Sequence, residues 1–319
     1  MKTRNIVFLL STLLVACSSG FIIPDPVPGG VSGGGQVDEG NSSGEEPEEP
    51  GPGAQTFSLS ADGDDEHTYD LILSRGFNME PPDNSGAHAL EPFRHIRQRY
   101  DDVLGKYVFD FYLHIQNDDD RGLANVKDRQ RNEIKTDGHS PAEFVAQEGE
   151  TLRMTWLFRL PEGMQTTGRF SHIHQLKGID NKEGTADVSL PAITFTCRTL
   201  SNGKQQLQVI YTAPSKAGSG STYLARVDLS DFLGEWVAVS ETVTFAAEGS
   251  YKVVVNRVRD GKQLLKVDGT TLDLWRDGST GMRPKWGLYR NFGDNRSIAS
   301  ELRDEILGFA DFNIEKLQD

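Results

Sequence analysis

Three short segments of this sequence carry polar or charged side chains at every second position. In a β-strand that spacing places such side chains on one face of the sheet. Side by side on one sheet, the three faces would line a groove with cations, imidazoles and a phenol. The sets are Arg129, Arg131, Glu133 and Lys135; His172 and His174; and Lys285, Gly287, Tyr289 and Asn291.

The chemistry that such a groove suits is β-elimination at a uronic acid. The hydrogen on C5 of a uronate is α to a carboxylate, and it is too weakly acidic while that carboxylate keeps its charge. A cation or an amide must neutralise the carboxylate and stabilise the enediolate that forms. A base must take the hydrogen and an acid must protonate the departing glycosidic oxygen. A tyrosine beside Arg or Lys can have its pKa lowered enough to serve either role, and the set requires no metal or other cofactor.

The alternation within each segment assigns the neighbouring residues to its polar face or to the opposite face. Ile173 and Gln175 are expected to point away from the two histidines, although Gln175 is kept among the candidates for binding substrate. Gly287 is expected to let a sugar ring approach the backbone closely. A further alternating strand places Tyr112 and His114 opposite its apolar side chains, and both are counted as candidates for binding substrate.

Each of these features also has a less specific interpretation. An Arg-x-Arg-x-Glu-x-Lys strand is common as a solvated face with cross-strand ion pairs. Two histidines at this spacing could bind a metal ion, but no third ligand is evident. The acidic runs at 118–120 and 62–66 are typical of solvated turns, and either could instead hold a structural calcium ion. The joint occurrence of the three strands in one phase is what favours a site.

The rest of the chain is also patterned as strands. Period-two alternation with many β-branched and aromatic residues recurs, punctuated by Asn-Gly and Asp-Gly turns. Helical pattern is scarce, and a short helix is expected within 92–103. Many short strands at regular spacing predict an all-β jelly-roll sandwich of two antiparallel sheets. The segments are 106–115, 151–160, 171–176, 192–199, 206–212, 223–229, 235–245, 251–257, 262–267, 285–290 and 309–316.

The beginning of the chain predicts its compartment. Residues 1–16 have the order of a secretory signal peptide, and the Leu-Val-Ala-Cys that ends at Cys17 resembles a bacterial lipobox. That resemblance implies acylation of Cys17 and anchoring at the outer membrane or cell surface. Residues 17–54 are rich in Gly, Ser, Pro and Glu and are expected to be a flexible tether. Residues 55–319 are expected to be one domain, with Cys197 as a buried apolar side chain.

The charge of the chain restricts its partners. The net charge is −14, and residues 55–319 carry 40 acidic against 31 basic side chains, a net charge of −9. An acidic body argues against nucleic acid as a partner. A polyanionic substrate would therefore need a locally basic groove on an acidic protein.

The three strands resemble the motifs of jelly-roll polysaccharide lyases, namely the alginate lyase family and its glucuronan-lyase and heparin-lyase-like relatives. Those alginate lyases carry an Arg-x-Glu-x-Arg strand, a Gln-Ile-His strand and a Lys-x-Gly-x-Tyr-x-Gln strand, in that order. Residues 131–135 match the first with a final lysine, and 172–174 match the second with histidine for glutamine. Residues 285–291 match the third with a final asparagine. The resemblance implies a concanavalin A-like sandwich that cleaves an anionic polysaccharide.

The resemblance also implies roles for the matching positions. Tyr289 would be the catalytic acid and could also be the base, and His174 would be the base or a charge neutraliser. Arg131 would bind the uronate carboxylate, and His172 would stand where an amide neutralises it. The remaining candidates for binding substrate are Arg129, Glu133, Lys135, Lys285, Asn291, Gln175, Tyr112 and His114.

Two other functions fit the same fold. A retaining glycoside hydrolase would need two carboxylates on one strand in a Glu-x-Asp-x-x-Glu pattern, which the sequence lacks. A glycan-binding lipoprotein without catalytic activity would keep the groove and stack sugars on tryptophans. The four candidates for such stacking are Trp156, Trp236, Trp275 and Trp286.

Overall fold

The computed structural model describes residues 56–82, 93–123, 125–218 and 220–317. Within these ranges the chain forms fifteen β-strands and one α-helix, α1 (Thr68–Ser74). The strands are β1 (Thr56–Leu59), β2 (Asn78–Glu80), β3 (Ile96–Asp101), β4 (Lys106–Leu113), β5 (Arg129–Lys135), β6 (Thr151–Arg159), β7 (Ser171–Gly178), β8 (Ile193–Thr199), β9 (Gln205–Thr212), β10 (Ser221–Asp228), β11 (Trp236–Thr244), β12 (Gly249–Arg257), β13 (Gln263–Leu272), β14 (Met282–Asn291) and β15 (Glu305–Leu317).

The strands form two sheets. One sheet has the order β13-β12-β11-β6-β15-β4-β3, with β1 also paired to β15, and the other has the order β10-β9-β8-β7-β14-β5-β2. All the strand pairs are antiparallel. Sequential neighbours such as β7, β8 and β9 pair directly, whereas β14 returns from far along the chain to lie between β5 and β7.

The two sheets pack face to face around one apolar core. Every second side chain of β6 is buried, because alternation directs one face of each strand inward. Across the interface, the ring centroid of Trp156 on β6 lies 5.7 Å from that of Trp286 on β14 and 6.0 Å from that of Phe195 on β8. The predicted jelly-roll sandwich of two antiparallel sheets is confirmed.

The helix expected within 92–103 is wrong. The described part of that segment contains β3, which pairs with β4 from Ile96↔Phe111 to Asp101↔Lys106. Ile96, Gln98 and Asp101 are buried and Arg97 is exposed, so the partner strand imposes a nearly period-two pattern on a short polar sequence.

Several predictions about the ends of the chain lie outside the described residues, namely the signal peptide 1–16, the lipidated Cys17 and the tether 17–54. Among the residues that are described, no helix has the length and apolar character needed to cross a membrane. Cys197 is buried in the core, as predicted, and burial raises the pKa of its thiol. A thiol in that state is a poor nucleophile.

Gly287 on β14 is paired with Glu133 on β5. Its φ of +140° lies in the region that favours glycine, and a Cβ atom at this position would lie 2.1 Å from the carbonyl oxygen of Asn132 and 2.7 Å from Cα of Glu133. The missing side chain therefore lets two strands approach each other. The sequence suggested that Gly287 makes room for a sugar ring, but this contact explains the glycine by the packing of two strands.

We predict that Gly287→Ala lowers the free energy of unfolding by about 3 kcal/mol or more, because it adds backbone strain to a clash with β5. Gly203→Ala is the matched control, since Gly203 has φ +81° and no other atom lies within 4 Å of the place that a Cβ atom would take. This control should cost about 1 kcal/mol. Urea denaturation followed by tryptophan fluorescence measures both. Equal losses would show that the contact with β5 carries no cost.

Candidate active site

The three polar strands are neighbours, as predicted. β14 lies between β7 and β5 in the second sheet, and β2 follows β5 at the edge. Tyr289 on β14 is opposite Arg131 on β5 and opposite His172 on β7. The outer face of this sheet therefore brings a phenol, a guanidinium and an imidazole together in one row across three strands.

A bulge in β7 separates the two histidines that were predicted to share a face. The register slips by one residue between His172 and His174 on both sides of β7. His172 stays on the groove face, whereas His174 is fully buried between the sheets, with its ring 4.6 Å from that of Trp156. The prediction that His174 lines the groove is wrong, because the extra residue of a bulge reverses the alternation after it.

His174 ties the two sheets together. Its Nε2 lies 3.0 Å from Oε2 of Glu241 on β11, and its Nδ1 lies 2.9 Å from the carbonyl oxygen of Lys285 on β14. The Tyr251 hydroxyl donates to the other oxygen of Glu241 at 2.7 Å. With an exposed fraction of 0%, His174 cannot touch a polysaccharide.

The same bulge turns Gln175 towards the groove, contrary to the expectation that it points away. The side-chain amide of Gln175 donates to Oε1 of Glu133, and Gln175 pairs in register with Lys285. After the bulge, the groove face of β7 therefore carries His172, Gln175 and Lys177.

A buried cluster of ion pairs occupies the middle of the groove. Lys285 Nζ lies 2.6 Å from Oε2 of Glu80 and 2.6 Å from Oε2 of Glu133. Arg131 Nη1 lies 2.9 Å and 3.1 Å from the same two oxygens, and Lys135 Nζ lies 2.9 Å from Oε1 of Glu80. Burial would raise the pKa of Glu80, but the three cations together hold it far below its usual value. This set is not the solvated row of charges that an exposed strand face would show.

Arg131 is further held by the loop that precedes β5. Its Nε donates to Oδ1 of Asp120 at 2.9 Å, and its backbone N–H donates to the carbonyl oxygen of Asp119. Asp118 and Asp120 are buried, so the interpretation of 118–120 as a solvated turn is wrong. Arg131 thus has three carboxylate partners in Glu80, Glu133 and Asp120.

Tyr289 lies between two guanidinium groups. Arg129 Nη1 donates to its hydroxyl oxygen at 2.8 Å, and the guanidinium carbon of Arg131 lies 3.8 Å from its ring centroid. Burial raises the pKa of Tyr289 above its usual value, and this effect outweighs the opposing effect of Arg131 and Arg129. The sequence suggested that neighbouring cations lower the pKa of this tyrosine, but the net shift is upward, and the phenol is protonated at neutral pH.

His172 is a neutral imidazole beside that phenol. Its ring is stacked on Phe170 at 4.5 Å and lies 6.0 Å from the Tyr289 ring, centroid to centroid. Its Nδ1 is hydrogen-bonded to Oγ1 of Thr196 at 2.8 Å. Burial lowers the pKa of His172 well below its usual value, and the charge of Arg198 lowers it further. Nε2 of His172 has no hydrogen bond to any described residue.

Two other candidates lie away from the groove. Tyr112 is on β4 and His114 follows it, and β4 belongs to the opposite sheet. Tyr112 and His114, which the sequence offered as candidates for binding substrate, therefore do not share the sheet of Tyr289: alternation gives the face of a strand but not the sheet that it joins. Asn291, by contrast, is on β14 opposite Arg129, and its Oδ1 accepts from the backbone N–H of Gly293 at 2.8 Å.

His114 belongs to a group of potential metal ligands near that end of β4. Single donor atoms of His95, His114 and Asp118 lie within 4.8 Å of one another. His95 Nε2 and Asp118 Oδ1 are 3.0 Å apart, and Oδ2 of Asp118 accepts from the backbone N–H of His114 at 2.6 Å. Two imidazoles and one carboxylate suit zinc better than calcium. Both oxygens of Asp118 already contact groups of the protein, so the carboxylate needs no metal ion to explain its burial.

Sequence reasoning missed several groove residues. Lys177 and Arg198 continue the alternation of their strands, so the correct phase would have found them. Glu80 is on a three-residue strand and Asp120 is in a loop, and neither carries a local pattern. The buried cations of the groove are what indicates Glu80 and Asp120, because buried cations require acidic partners.

A comparison with known proteins identifies the family. The family model described as "Polysaccharide lyase" matches residues 80–306, which is more than half of the chain. The chain belongs to the polysaccharide lyase family. This lyase has the predicted enzyme class, and the matched segment begins at Glu80 and includes all three polar strands. No curated protein sequence matches it significantly.

Several solved structures are similar to this lyase, and the first named here shows its fold. The marine PL-14 alginate lyase from Aplysia kurodai has a TM-score of 0.53 at 14% identity, with 83% of this chain and 100% of that chain covered. The endo-β-1,4-glucuronan lyase from the fungus Trichoderma reesei has a TM-score of 0.48 at 15% identity, with 76% and 92% covered. An alginate lyase from Pseudomonas aeruginosa has a TM-score of 0.47 at 16% identity, with 76% and 98% covered.

The tryptophans of this lyase do not form a stacking platform in the groove. Trp156, Trp236 and Trp286 are buried, and Trp275 is partly buried against the core. The two glutamates in the groove, Glu80 and Glu133, share the Lys285 ammonium, so neither has the environment of a protonated general acid that a glycoside hydrolase needs. Among the described residues, the groove therefore shows neither a tryptophan platform nor a glutamate in the environment of a general acid.

We predict that Lys285→Met lowers the free energy of unfolding by about 3–5 kcal/mol, because it leaves two buried carboxylates without their shared cation. Lys106→Met is the control, since the Lys106–Asp311 pair is on the surface, with exposed fractions of 44% and 28%, and should cost less than about 1 kcal/mol. Thermal unfolding by circular dichroism at pH 7 compares the two. Similar losses would contradict the interpretation of Lys285 as the centre of the cluster.

Proposed function

We propose that this lyase cleaves a uronate-containing polysaccharide by β-elimination, with Tyr289 as the general acid and His172 as the general base. One observation carries the proposal. A protonated phenol and a neutral imidazole lie side by side on adjacent strands, 6.0 Å apart between ring centroids, on the polar face of a sandwich that belongs to a lyase family.

The hydrogen bonds of Tyr289 suit an acid. Because Arg129 donates to the hydroxyl oxygen, the phenolic hydrogen remains available for the glycosidic oxygen of a bound sugar. After proton transfer, the guanidinium groups of Arg129 and Arg131 would stabilise the tyrosinate. The raised pKa keeps the hydroxyl protonated until that step.

The contacts of His172 suit a base. Thr196 Oγ1 engages Nδ1 and in turn lies 2.9 Å from Oγ1 of Thr194, which fixes the orientation of the ring. Nε2 is left as the atom that can accept a proton. The lowered pKa keeps this nitrogen unprotonated at neutral pH, so His172 is available as a base without prior loss of a proton.

Arg198 is the cation best placed to neutralise the reacting carboxylate. It lies two residues beyond Thr196 on β8, and Thr196 is opposite His172; its charge lowers the pKa of His172, and its Nε is without a hydrogen bond to a described residue. Arg131, which the sequence suggested for this role, already has three carboxylate partners and supports the Tyr289 ring instead. A uronate carboxylate would give Arg198 the partner that the described residues do not supply.

The step is balanced with these residues. Nε2 of His172 takes the hydrogen from C5, the electron pair forms the C4=C5 double bond, and the bond from C4 to the glycosidic oxygen breaks. That oxygen takes the hydrogen of Tyr289. Transfer of the proton from the imidazolium to the tyrosinate then restores both groups.

The marine alginate lyase supports an anionic substrate, because that protein has the same architecture and is named for its action on alginate. The proposed place of action is the outer membrane or cell surface, with the enzyme anchored through Cys17. That proposal rests on the lipobox-like sequence alone.

We predict that Tyr289→Phe and His172→Ala each lower kcat by about 10²–10⁴, because each removes a proton-transfer group. The assay is absorbance of the 4,5-unsaturated uronate during incubation with glucuronan, polymannuronate or polyguluronate. Tyr112→Phe and His139→Ala are the controls, since Tyr112 is on the other sheet and the side chain of His139 is 95% exposed. Full activity in either groove variant would exclude that residue as the acid or the base.

We also predict that the acidic limb of kcat/KM has its midpoint below pH 6.5, because that limb reports the free enzyme and the pKa of His172 is lowered. Protonation of Nε2 removes the base, so activity is present above this pKa and falls as the pH decreases through it. Initial rates at low substrate concentration between pH 4 and 7 measure the limb. A midpoint above 6.5 would contradict a buried neutral imidazole as the base.

A further inference from the structure

The groove divides into a part in which cations are paired and a part in which they are not. Arg131, Lys135 and Lys285 have carboxylate partners within 4.0 Å. Lys177 on β7 and Arg283 on β14 face each other in register, and among the described residues no carboxylate lies within ion-pair distance of either. The protein thus neutralises the centre of its groove and leaves Lys177 and Arg283 uncompensated at one end of it, apart from Arg198 on β8.

Lys177 and Arg283 lie at a distance from the reacting groups. Lys177 follows Gln175 on the same face of β7, and the strand rise over five residues puts it roughly 16 Å from His172. That separation exceeds the length of one sugar ring. An anion held by Lys177 and Arg283 therefore belongs to a sugar that is not adjacent to the scissile bond.

The donors of this pair are only partly occupied. Lys177 Nζ donates to the carbonyl oxygen of Ser189 at 3.3 Å, and Arg283 Nη1 donates to the carbonyl oxygen of Thr136 at 2.9 Å. The Nε of Arg283 is buried without a hydrogen bond to a described residue. Both side chains are partly exposed on the groove face, so a ligand in the groove can reach them.

We propose that Lys177 and Arg283 form a subsite that binds the carboxylate of a second uronate, remote from the scissile bond. The inference rests on the proposed function and extends it, because it makes the substrate a polymer whose uronates recur along the chain. A polysaccharide with a single uronate among neutral sugars would leave the pair uncompensated and would bind less tightly.

The state of Lys177 couples this subsite to pH. Burial lowers the pKa of Lys177 to about 7, and Lys285, Arg131 and Arg283 lower it further, against the opposing effect of Glu133. A carboxylate at the subsite favours the charged ammonium, so binding at pH 7.5 must take up a proton. Affinity is accordingly greatest below this pKa and falls as the pH rises through it.

The experiment measures binding without turnover. Calorimetric titration of Tyr289→Phe with saturated hexamers of glucuronate, mannuronate or guluronate, in buffers of different ionisation enthalpy at pH 7.5, gives the number of protons taken up. We expect roughly half a proton or more per site. In the same background, Lys177→Arg should bind with little proton uptake, because arginine stays charged. Lys177→Met should bind about 10–100-fold more weakly at pH 6.5.

Chain length separates this subsite from the reacting one. With an otherwise native enzyme, Lys177→Met should raise KM for hexamers and leave KM for trimers almost unchanged, because a trimer is too short to reach both sites. Two results together would overturn the subsite: equal proton uptake by Tyr289→Phe with and without Lys177→Met, and equal KM for hexamers in the wild type and Lys177→Met. Tighter binding of a sulfated neutral oligosaccharide than of an oligouronate would overturn the carboxylate as its ligand. Absence of unsaturated product from the wild type on every polymer would instead overturn the proposed elimination.

Discussion

The ammonium group of Lys285, shared by Glu80 and Glu133, is the interaction on which the groove depends. It joins β14 to β5 and β2 across the sheet, and it neutralises two carboxylates that would otherwise be buried with an unbalanced charge. Breaking such a pair is costly because the remaining charge stays out of water. With the centre neutralised in this way, Arg131 is held rigidly under the Tyr289 ring, and only the cations at either side keep charge for a substrate.

Alternation in the sequence was enough to predict the architecture and the identity of the three site strands. Period two assigns a face to each residue, and polar faces on otherwise apolar strands indicated that β5, β7 and β14 belong together. That inference was confirmed, since β14 lies between β7 and β5 in one sheet and the polar faces of all three strands line the same groove. The strand motifs, rather than any single residue, carried the information about the family.

What alternation could not predict depends on one extra residue and on distant partners. The bulge in β7 exchanges the faces of His174 and Gln175, and a bulge has no signature in residue type at this position. Glu80 and Asp120 come from a short edge strand and a loop, so only the folded chain shows that they hold Arg131. The direction of the pKa shift of Tyr289 was predicted wrongly, because burial outweighs the two guanidinium groups that the sequence placed nearby.

The contact between His174 and Glu241 fixes the charge of the core behind the active site. A carbonyl oxygen can only accept, so Nδ1 of His174 must carry the hydrogen that it shares with Lys285, and a second hydrogen must lie between Nε2 and the carboxyl group. Whether that hydrogen resides on the imidazole or on Glu241, the pair has no net charge. Two polar groups can therefore cross-link the sheets within an apolar interior without placing a lone ion there, and the backbone that carries Tyr289 is anchored from behind by an electrically neutral link.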